Sequence, residues 1–270
     1  MPKTSKPRIL LTNDDGIQSP GLWAAAAALA AVGHVTVAAP QDQSSGMGRS
    51  LPSTSSGIIA EQKLRVNGQE WIVYAVSGSP AQAVQHGVLE IMPKKPNLVV
   101  SGINYGENVG LGTTISGTVG AAMEAASLGI PALAISLEAA QRYHLSYSQE
   151  VDFSVAAHFT AFFGRILLAK KMPDDVQLLK VDVPSDATPE TAWLVTRVAR
   201  QGYYEPLAPQ RQSWNVAARL GYKENAILDG EDEDSDVVVL RKHHKVAVTP
   251  ISLDMTSRVN LAELEDCLRK

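Results

Sequence analysis

Cysteine is nearly absent: Cys267 is the single one in 270 residues. That excludes a disulfide framework and a thiolate metal cluster, and Cys267 is read as a packing residue of a terminal helix. No sign of charge dominates, since 24 Lys and Arg stand against 28 Asp and Glu for a net charge of −4. Without a basic stripe there is no footprint for a duplex nucleic-acid partner. The longest apolar run, Leu22 to Val32, falls short of the ~20 residues that cross a bilayer, so no membrane association is expected. Lys3 and Lys6 lead directly into the first apolar run with no signal-peptide core, and a soluble cytoplasmic enzyme or binding protein is the expectation. Aromatic residues are sparse, at 6%. No Gly-Lys-Ser/Thr of a P-loop and no Gly-x-Gly-x-x-Gly opening the first helix is found, which disfavours a dinucleotide.

What is present is ordinary globular composition, 45% hydrophobic and 19% charged, in a length that suits one large α/β domain or a main domain with an appendage. A first strand, Arg8 to Asn13, is followed by Ser19-Pro20 as helix cap and first helical residue, and the helix stops at Gly33. His34 to Ala39 is a second strand. This β-α-β opening argues for a parallel, doubly wound sheet. Lys63 to Val66 and Glu70 to Val76 flank Asn67-Gly68, a hairpin signal. Ser79-Pro80 opens a helix from Ala81 to Ile91, Asn97 to Val100 is a buried strand, and a small-residue helix runs from Ser116 to Leu128. Ala132 to Leu137, a helix from Gln149 to Lys170, and Gln177 to Val183 complete this part. Beyond Pro184 the pattern changes to short β-like runs: Trp193 to Val198, Trp214 to Leu220, Val237 to Leu240 and Lys245 to Ile251, then a helix from Asn260 to Leu268. The expectation is an α/β, Rossmann-like, doubly wound and mostly parallel sheet over residues 1–184, with a β-rich extension and terminal helix over 185–270.

Asp14 and Asp15 close the first strand ahead of Gly16. Adjacent carboxylates repel, and a divalent cation is the commonest neutraliser; taken alone, the pair reads equally well as turn formers. Two more loops stand at carboxyl ends of strands, Ser44 to Gly48 and Gly102 to Thr118. In a parallel sheet these ends share one edge, so the three loops can converge. They offer two carboxylates, the hydroxyls of Ser44 and Ser45 and the amide of Asn104, with no His or Cys among them. Such hard oxygen donors suit Mg²⁺, Mn²⁺ or Ca²⁺ better than zinc. Ser116-Gly117-Thr118 presents a helix N-terminus that reads as a phosphate site, or as an ordinary cap.

The runs Ile9-Leu-Leu-Thr-Asn-Asp-Asp-Gly16, Val99-Val-Ser-Gly-Ile-Asn104 and Ser116-Gly-Thr-Val119 with Ala121-Ala-Met-Glu124 resemble the survival protein SurE family of metal-dependent nucleotidases. Ile130 to Ser136, Val181 to Pro184 and Val248-Thr-Pro-Ile251 extend the resemblance over most of the chain. It implies metal ligands at Asp14, Asp15, Ser45 and Asn104, catalysis by Asp14, Asp15 and Asn104, and a phosphate cradle at Ser116, Gly117 and Thr118. It also implies one divalent cation per subunit (Mg²⁺ or Mn²⁺, with Ca²⁺ as an occupant in a crystal) and exchange of carboxyl-terminal elements in a homodimer or tetramer. The implied reaction is hydrolysis of nucleoside monophosphates, extending to 3′-nucleotides and short polyphosphate. The alternative is a catalytically weak nucleotide-binding or regulatory module. Two departures stand out: Gly78-Ser-Pro-Ala-Gln-Ala-Val84 replaces the family's Gly-Thr-Pro-Ala-Asp-Cys-Val, and Arg241-Lys-His-His-Lys245 is more basic than the usual segment.

Other residues have bland and functional readings. His243-His244 reads as a solvated basic turn, and the acidic run Asp229 to Asp236 as a surface loop rather than a calcium site. Arg49 and Arg142 are candidates for nucleotide contact, as are Tyr105, Tyr203 and Tyr204 for stacking on a base, whereas Trp23 is assigned to the core.

Overall fold

The computed structural model describes residues 6–66, 68–227 and 230–269. A nine-stranded sheet is built from β1 (Arg8–Thr12), β2 (His34–Pro40), β3 (Ile59–Val66), β4 (Gln69–Val76), β5 (Leu98–Tyr105), β6 (Ala132–Leu137), β7 (Leu178–Val183), β8 (Trp193–Val195) and β11 (Val246–Ile251), in the order β3-β4-β2-β1-β5-β6-β7-β11-β8. The middle of the sheet is parallel, with β1 flanked by β2 on one side and β5 on the other. The chain therefore reverses its winding direction at β1, and the crevice beyond the β1 and β5 tips is where an open α/β sheet takes its ligand. Strands β5, β6 and β7 are buried along their whole length, as central strands covered on both faces must be.

Helices cover both faces. On one, α1 (Pro20–Ala30) and α4 (Ser154–Ala169) place Leu22, Leu29, Phe159 and Phe163 against Ile9, Leu11 and Val100. Trp23 is buried there, its indole N–H donating to the Ile17 carbonyl at 3.0 Å. On the other, α2 (Pro80–His86) and α3 (Gly117–Ser127) pack Val84, Val119 and Ala122 on Leu10 and Val99. The burial of these two apolar layers is the main favourable term in folding.

Several boundaries differ from those expected. The α2 helix ends at His86 and gives way to a π-turn over Gly87–Ile91. α4 begins at Ser154 rather than Gln149, because the Asp152 carboxylate accepts from the Ser154 N–H at 2.8 Å and turns the chain there. β3 and β4 pair in register from Ile59↔Val76 to Val66↔Gln69; Asn67 of the expected turn lies outside the described residues, as does Asp229 of the acidic run.

Val237 to Leu240 reads as β but forms α5 (Asp236–Arg241). The Ser235 hydroxyl accepts from the Val238 N–H, and the helix start outweighs the β-branched composition. No strand forms over Trp214 to Leu220. Instead β9 (Tyr204–Leu207) pairs antiparallel with β10 (Gly221–Glu224) as a separate hairpin. β8 and β11 extend the central sheet itself, β11 running antiparallel to β7. The last helix, α6 (Leu261–Leu268), has no buried residue, and Cys267 on it is exposed rather than packed.

Candidate active site

β1 delivers Asp14 and Asp15 to the crevice, and both are buried. The turn that holds them is braced by Asn13, whose amide bonds the Gly16 carbonyl at 3.1 Å and accepts from the Gly16 N–H at 3.2 Å. The Tyr147 hydroxyl donates to the Asp15 carbonyl at 2.9 Å. β5 reaches the same place through an irregularity: its register with β6 shifts between Ser101 and Asn104, and such a bulge re-aims the side chains that follow. Gly102 lies at φ +129, and a Cβ there would stand 2.2 Å from the Ile135 carbonyl oxygen, so no other residue fits. The Asn104 amide nitrogen donates to the carbonyls of Gly106 (2.7 Å) and Tyr105 (3.3 Å), leaving the amide oxygen as its remaining polar atom.

The start of α3 closes the site from above. Ser116 caps it by accepting from the Val119 N–H at 3.1 Å. The Thr118 hydroxyl donates to Asp14 Oδ1 at 2.5 Å. Gly117 is required by close approach, because a Cβ would lie 2.7 Å from the Cβ of Asp14. Burial raises the pKa of the Asp14 carboxyl, and the Thr118 hydroxyl together with the Gly117 and Thr118 amides opposes that rise. Asp15 is raised well above the usual carboxylate range, first by burial and then by the charge of Asp14, against the Tyr105 N–H and the Gln43 amide. No cationic side chain acts on the pair among the described residues. Two desolvated neighbouring carboxylates are a repulsive arrangement that a hard cation relieves. The groups within reach of such an ion are oxygen donors, and the described residues hold no cluster of three or more His, Cys, Asp or Glu side chains.

Asp14, Ser45, Asn104 and Ser116 line one cavity of about 480 Å³. Ser45 is exposed at its mouth, while its neighbour Ser44 is buried and donates to the Asp42 carbonyl. Asp15, Gly117 and Thr118 are buried and lie outside the lining. The cavity continues to Leu145, Tyr204, Leu220 and Tyr222. Of the ring candidates, Tyr105 and Tyr204 line the cavity. Tyr203 packs with Val109, Ala199, Val237 and Leu240. Tyr105 is committed to the core, edge-on to Phe153 with its hydroxyl donating to the Ser148 carbonyl at 2.7 Å. Arg49 pairs with Glu124 at 2.8 Å, Arg142 lies over the Tyr143 ring, and His243 and His244 pair with Glu233 and Asp186. Gln82, at the departure from the family segment, completes a capping box with Ser79 and bonds Ser55 and the Pro52 carbonyl.

Sequence reasoning passed over a buried ionic centre behind the site. Lys180 donates to Asp182 (2.5 Å) and Asp236 (3.0 Å), all three fully buried. Asp182 also accepts from the Asn108 N–H and Asp236 from those of Gly110 and Ala199, tying β7, the loop after β5 and α5 together. The available signal was a Lys and an Asp two apart inside an otherwise apolar strand, which a buried strand tolerates only when paired. Arg241, singled out in the sequence only as part of a basic segment, is a second ionic centre. It pairs with Glu138, with Glu224 at 3.4 Å and with Glu107 at 3.8 Å, so α5 is bonded to the β9–β10 hairpin.

The family profile described as Survival protein SurE matches residues 9–205. A 5′-nucleotidase SurE of Thermococcus kodakarensis is 40% identical over 265 residues, covering 97% of this chain and 98% of the relative. One of Thermococcus gammatolerans is 39% identical over 268 residues, covering 97% and 96%. A crystal structure of the SurE protein from Aquifex aeolicus superposes with a TM-score of 0.74 at 30% identity, over 98% of this chain and 100% of that one. With a parallel sheet that winds outward from β1, a carboxylate pair at its tip and a match across most of its length, the chain belongs to the SurE family.

Proposed function

We propose that this chain is a 5′-nucleotidase that hydrolyses nucleoside monophosphates to nucleoside and phosphate, using one divalent cation per subunit, Mg²⁺ or Mn²⁺. The observation that carries the reading is the buried pair Asp14 and Asp15, with no counter-charge among the described residues, of which Asp14 meets the Ser116 cap of α3 in one cavity. The relatives that are named 5′-nucleotidases match over nearly their whole length, which supports the same assignment.

Asp14, Asp15, Ser45 and Asn104 would hold the cation, as an oxygen-only set. When bound, it supplies Lewis-acid polarisation of the phosphoryl oxygens and activation of water. The chain's own groups do the rest. The α3 start at Ser116 to Thr118 orients the phosphoryl group and opposes charge building on its equatorial oxygens, while Asn104 contributes its amide oxygen, the atom its two donated N–H bonds leave free, to the cation. A carboxylate oxygen of the aspartate pair orients the attacking water or takes its proton. The same site admits 3′-nucleotides and short polyphosphate, since it addresses the phosphoryl group first.

We further infer a homo-oligomer, at least a dimer, located in the cytoplasm; among the described residues no helix is long and apolar enough to cross a membrane. Leu261, Leu264 and Leu268 of α6 are all exposed on a helix that buries none of its residues. An apolar stripe of that kind on a lone helix is relieved by a second copy.

The test is phosphate release from 5′-AMP and 5′-GMP with Mn²⁺ or Mg²⁺, with and without EDTA. Turnover that EDTA abolishes and added cation restores is expected. Metal-independent turnover overturns the mechanism, and tight nucleotide binding with no turnover overturns the enzyme reading in favour of a binding module.

A further inference from the structure

Of the four side chains expected at the cation, Ser45 is the one that no bond holds. Asp14 is bonded by Thr118, Asp15 by Gln43, and Asn104 by the carbonyls of Tyr105 and Gly106. The Ser45 hydroxyl makes no hydrogen bond among the described residues. Its place is therefore set by the run of backbone that carries it.

That backbone is a short arch. Ser45, Gly46 and Met47 are exposed, between the buried Ser44 and Gly48. The Ser44 N–H donates to the Asp14 carbonyl at 2.7 Å, and the Gly48 N–H to the Ile115 carbonyl at 2.9 Å. One foot of the arch thus stands on the aspartate pair and the other beside the start of α3. The second foot is pressed onto α3 itself. A Cβ on Gly120 would lie 2.2 Å from the Gly48 carbonyl oxygen and 2.6 Å from the Arg49 nitrogen, an approach that only glycine admits.

Arg49 follows the arch directly and fixes this foot from the side. Its Nε donates to Glu124 Oε2 at 2.8 Å, and the Gln85 amide donates to Glu124 Oε1 at 2.8 Å. The Glu124 side chain is 4% exposed, that of Arg49 41%. A carboxylate so desolvated is costly unless paired, and Arg49 is the cation that the fold brings to it. Arg49 is not part of the cavity lining, so it reaches the site only through the loop. Beyond Arg49 the loop is tied separately to α2, by Ser79 on the Ser50 carbonyl and Gln82 on the Pro52 carbonyl.

We propose that Arg49 is a positioning residue: paired with Glu124, it holds the arch so that the Ser45 hydroxyl completes the oxygen set for the cation. The proposal rests on the cation site of the nucleotidase read above. A neutral hydroxyl is a weak ligand, and on a loop it contributes only if its place is fixed beforehand. Arg49 and Ser45 then act as one unit, and loss of either makes the other redundant.

The test is the double variant Arg49→Met, Glu124→Gln, which removes the pair without leaving a buried carboxylate uncompensated and keeps an acceptor for Gln85. Calorimetric titration of the metal-free protein with Mn²⁺ reads cation affinity without turnover. The variant is expected to bind Mn²⁺ about fivefold more weakly than the wild type. In a Ser45→Ala background the same two substitutions are expected to change the affinity by less than about 1.5-fold. In EDTA, the Gly48 amide proton exchanges about tenfold faster in the variant, with the Leu10 amide unchanged. At saturating Mn²⁺ the KM for AMP stays within about twofold of the wild type. Unchanged Mn²⁺ affinity in the folded variant overturns the proposal. So does an equal loss in the Ser45→Ala background, which makes the pair a brace independent of Ser45. Should the double variant fail to fold, Arg49→Lys, which keeps a charge for Glu124 and loses the fixed Nε donor, is read in the same titrations against the same outcomes. A wild type that binds no divalent cation overturns the reading on which the proposal rests. One that binds Mn²⁺ but hydrolyses no nucleotide overturns the nucleotidase alone, and the titrations still decide the role of Arg49.

Discussion

The Thr118 hydroxyl donates to Asp14 Oδ1 at 2.5 Å across 104 residues of sequence. The hydroxyl that the sequence offers to a phosphate is thus bonded to the carboxylate it stands above. It steadies the charged form of Asp14 and opposes the rise that burial imposes. Thr118→Val keeps the shape and removes the donor. The expected result is weaker cation dependence, with about tenfold more Mn²⁺ needed for half-maximal turnover and KM for AMP little changed at saturating Mn²⁺. A raised KM with unchanged Mn²⁺ dependence would instead place the hydroxyl on the substrate phosphate.

Asp14→Asn and Asp15→Asn are each expected to lower kcat by about a hundredfold or more while preserving the fold. Both residues are buried and adjacent, with no cationic side chain beside them among the described residues. Neutralising one relieves their repulsion, so the metal-free variants are expected to melt above the metal-free wild type. Calorimetry in EDTA reads the second effect and phosphate release the first. If both variants keep wild-type kcat and metal dependence, the pair is not the cation site.

Ser45→Ala is expected to be milder, with less than about tenfold loss of kcat/KM at saturating Mn²⁺. Ser45 is exposed at the cavity mouth, where water can replace a neutral hydroxyl ligand. Titration of activity against Mn²⁺ checks this: a loss as large as that of Asp14→Asn would give Ser45 a role beyond ligation.

Burial pushes the Glu107 carboxyl up to about 7. A carboxyl whose folded pKa exceeds its unfolded one favours the folded state most when protonated. Its contribution is present below the ordinary value of 4.5 and is lost as pH rises through about 7. Glu107→Gln removes that titration. The variant is expected to gain on the wild type by roughly 2–3 kcal/mol between pH 4.5 and pH 8.5, read from unfolding curves at both pH values. A pH-independent difference would show that the Glu107 carboxyl titrates alike in the folded and unfolded chain.

Light scattering at low micromolar concentration is expected to give the mass of a dimer or larger. Leu264→Asp with Leu268→Asp, both on the unburied face of α6, is expected to shift the mass downward. A monomeric wild type with full activity would remove any role for exchange of carboxyl-terminal elements.

By itself the sequence determined the sheet and its tip. The continuous apolar runs Ile9–Thr12, Leu98–Val100 and Ala132–Leu137 have no stable place except a covered parallel sheet, and the order β-α-β sets which loops share an edge. Asp14 and Ser116 were legible for that reason, since one follows on a strand and the other opens a helix, whereas Asn104, read in the loop after a strand ending at Val100, lies on β5 itself. Tertiary structure alone decided what depends on partners remote in the chain. Lys180 stands in the sequence only as a charge inside an apolar strand, and its partner Asp236, 56 residues on, is brought to it by the fold. Val237 to Leu240 reads as a strand until Ser235 caps a turn and all four residues are buried. The wall of Leu145, Tyr204, Leu220 and Tyr222 has no local signature at all. Its residues come from separate segments with no common period, and only the docking of the β9–β10 hairpin beside the strand tips brings their faces together.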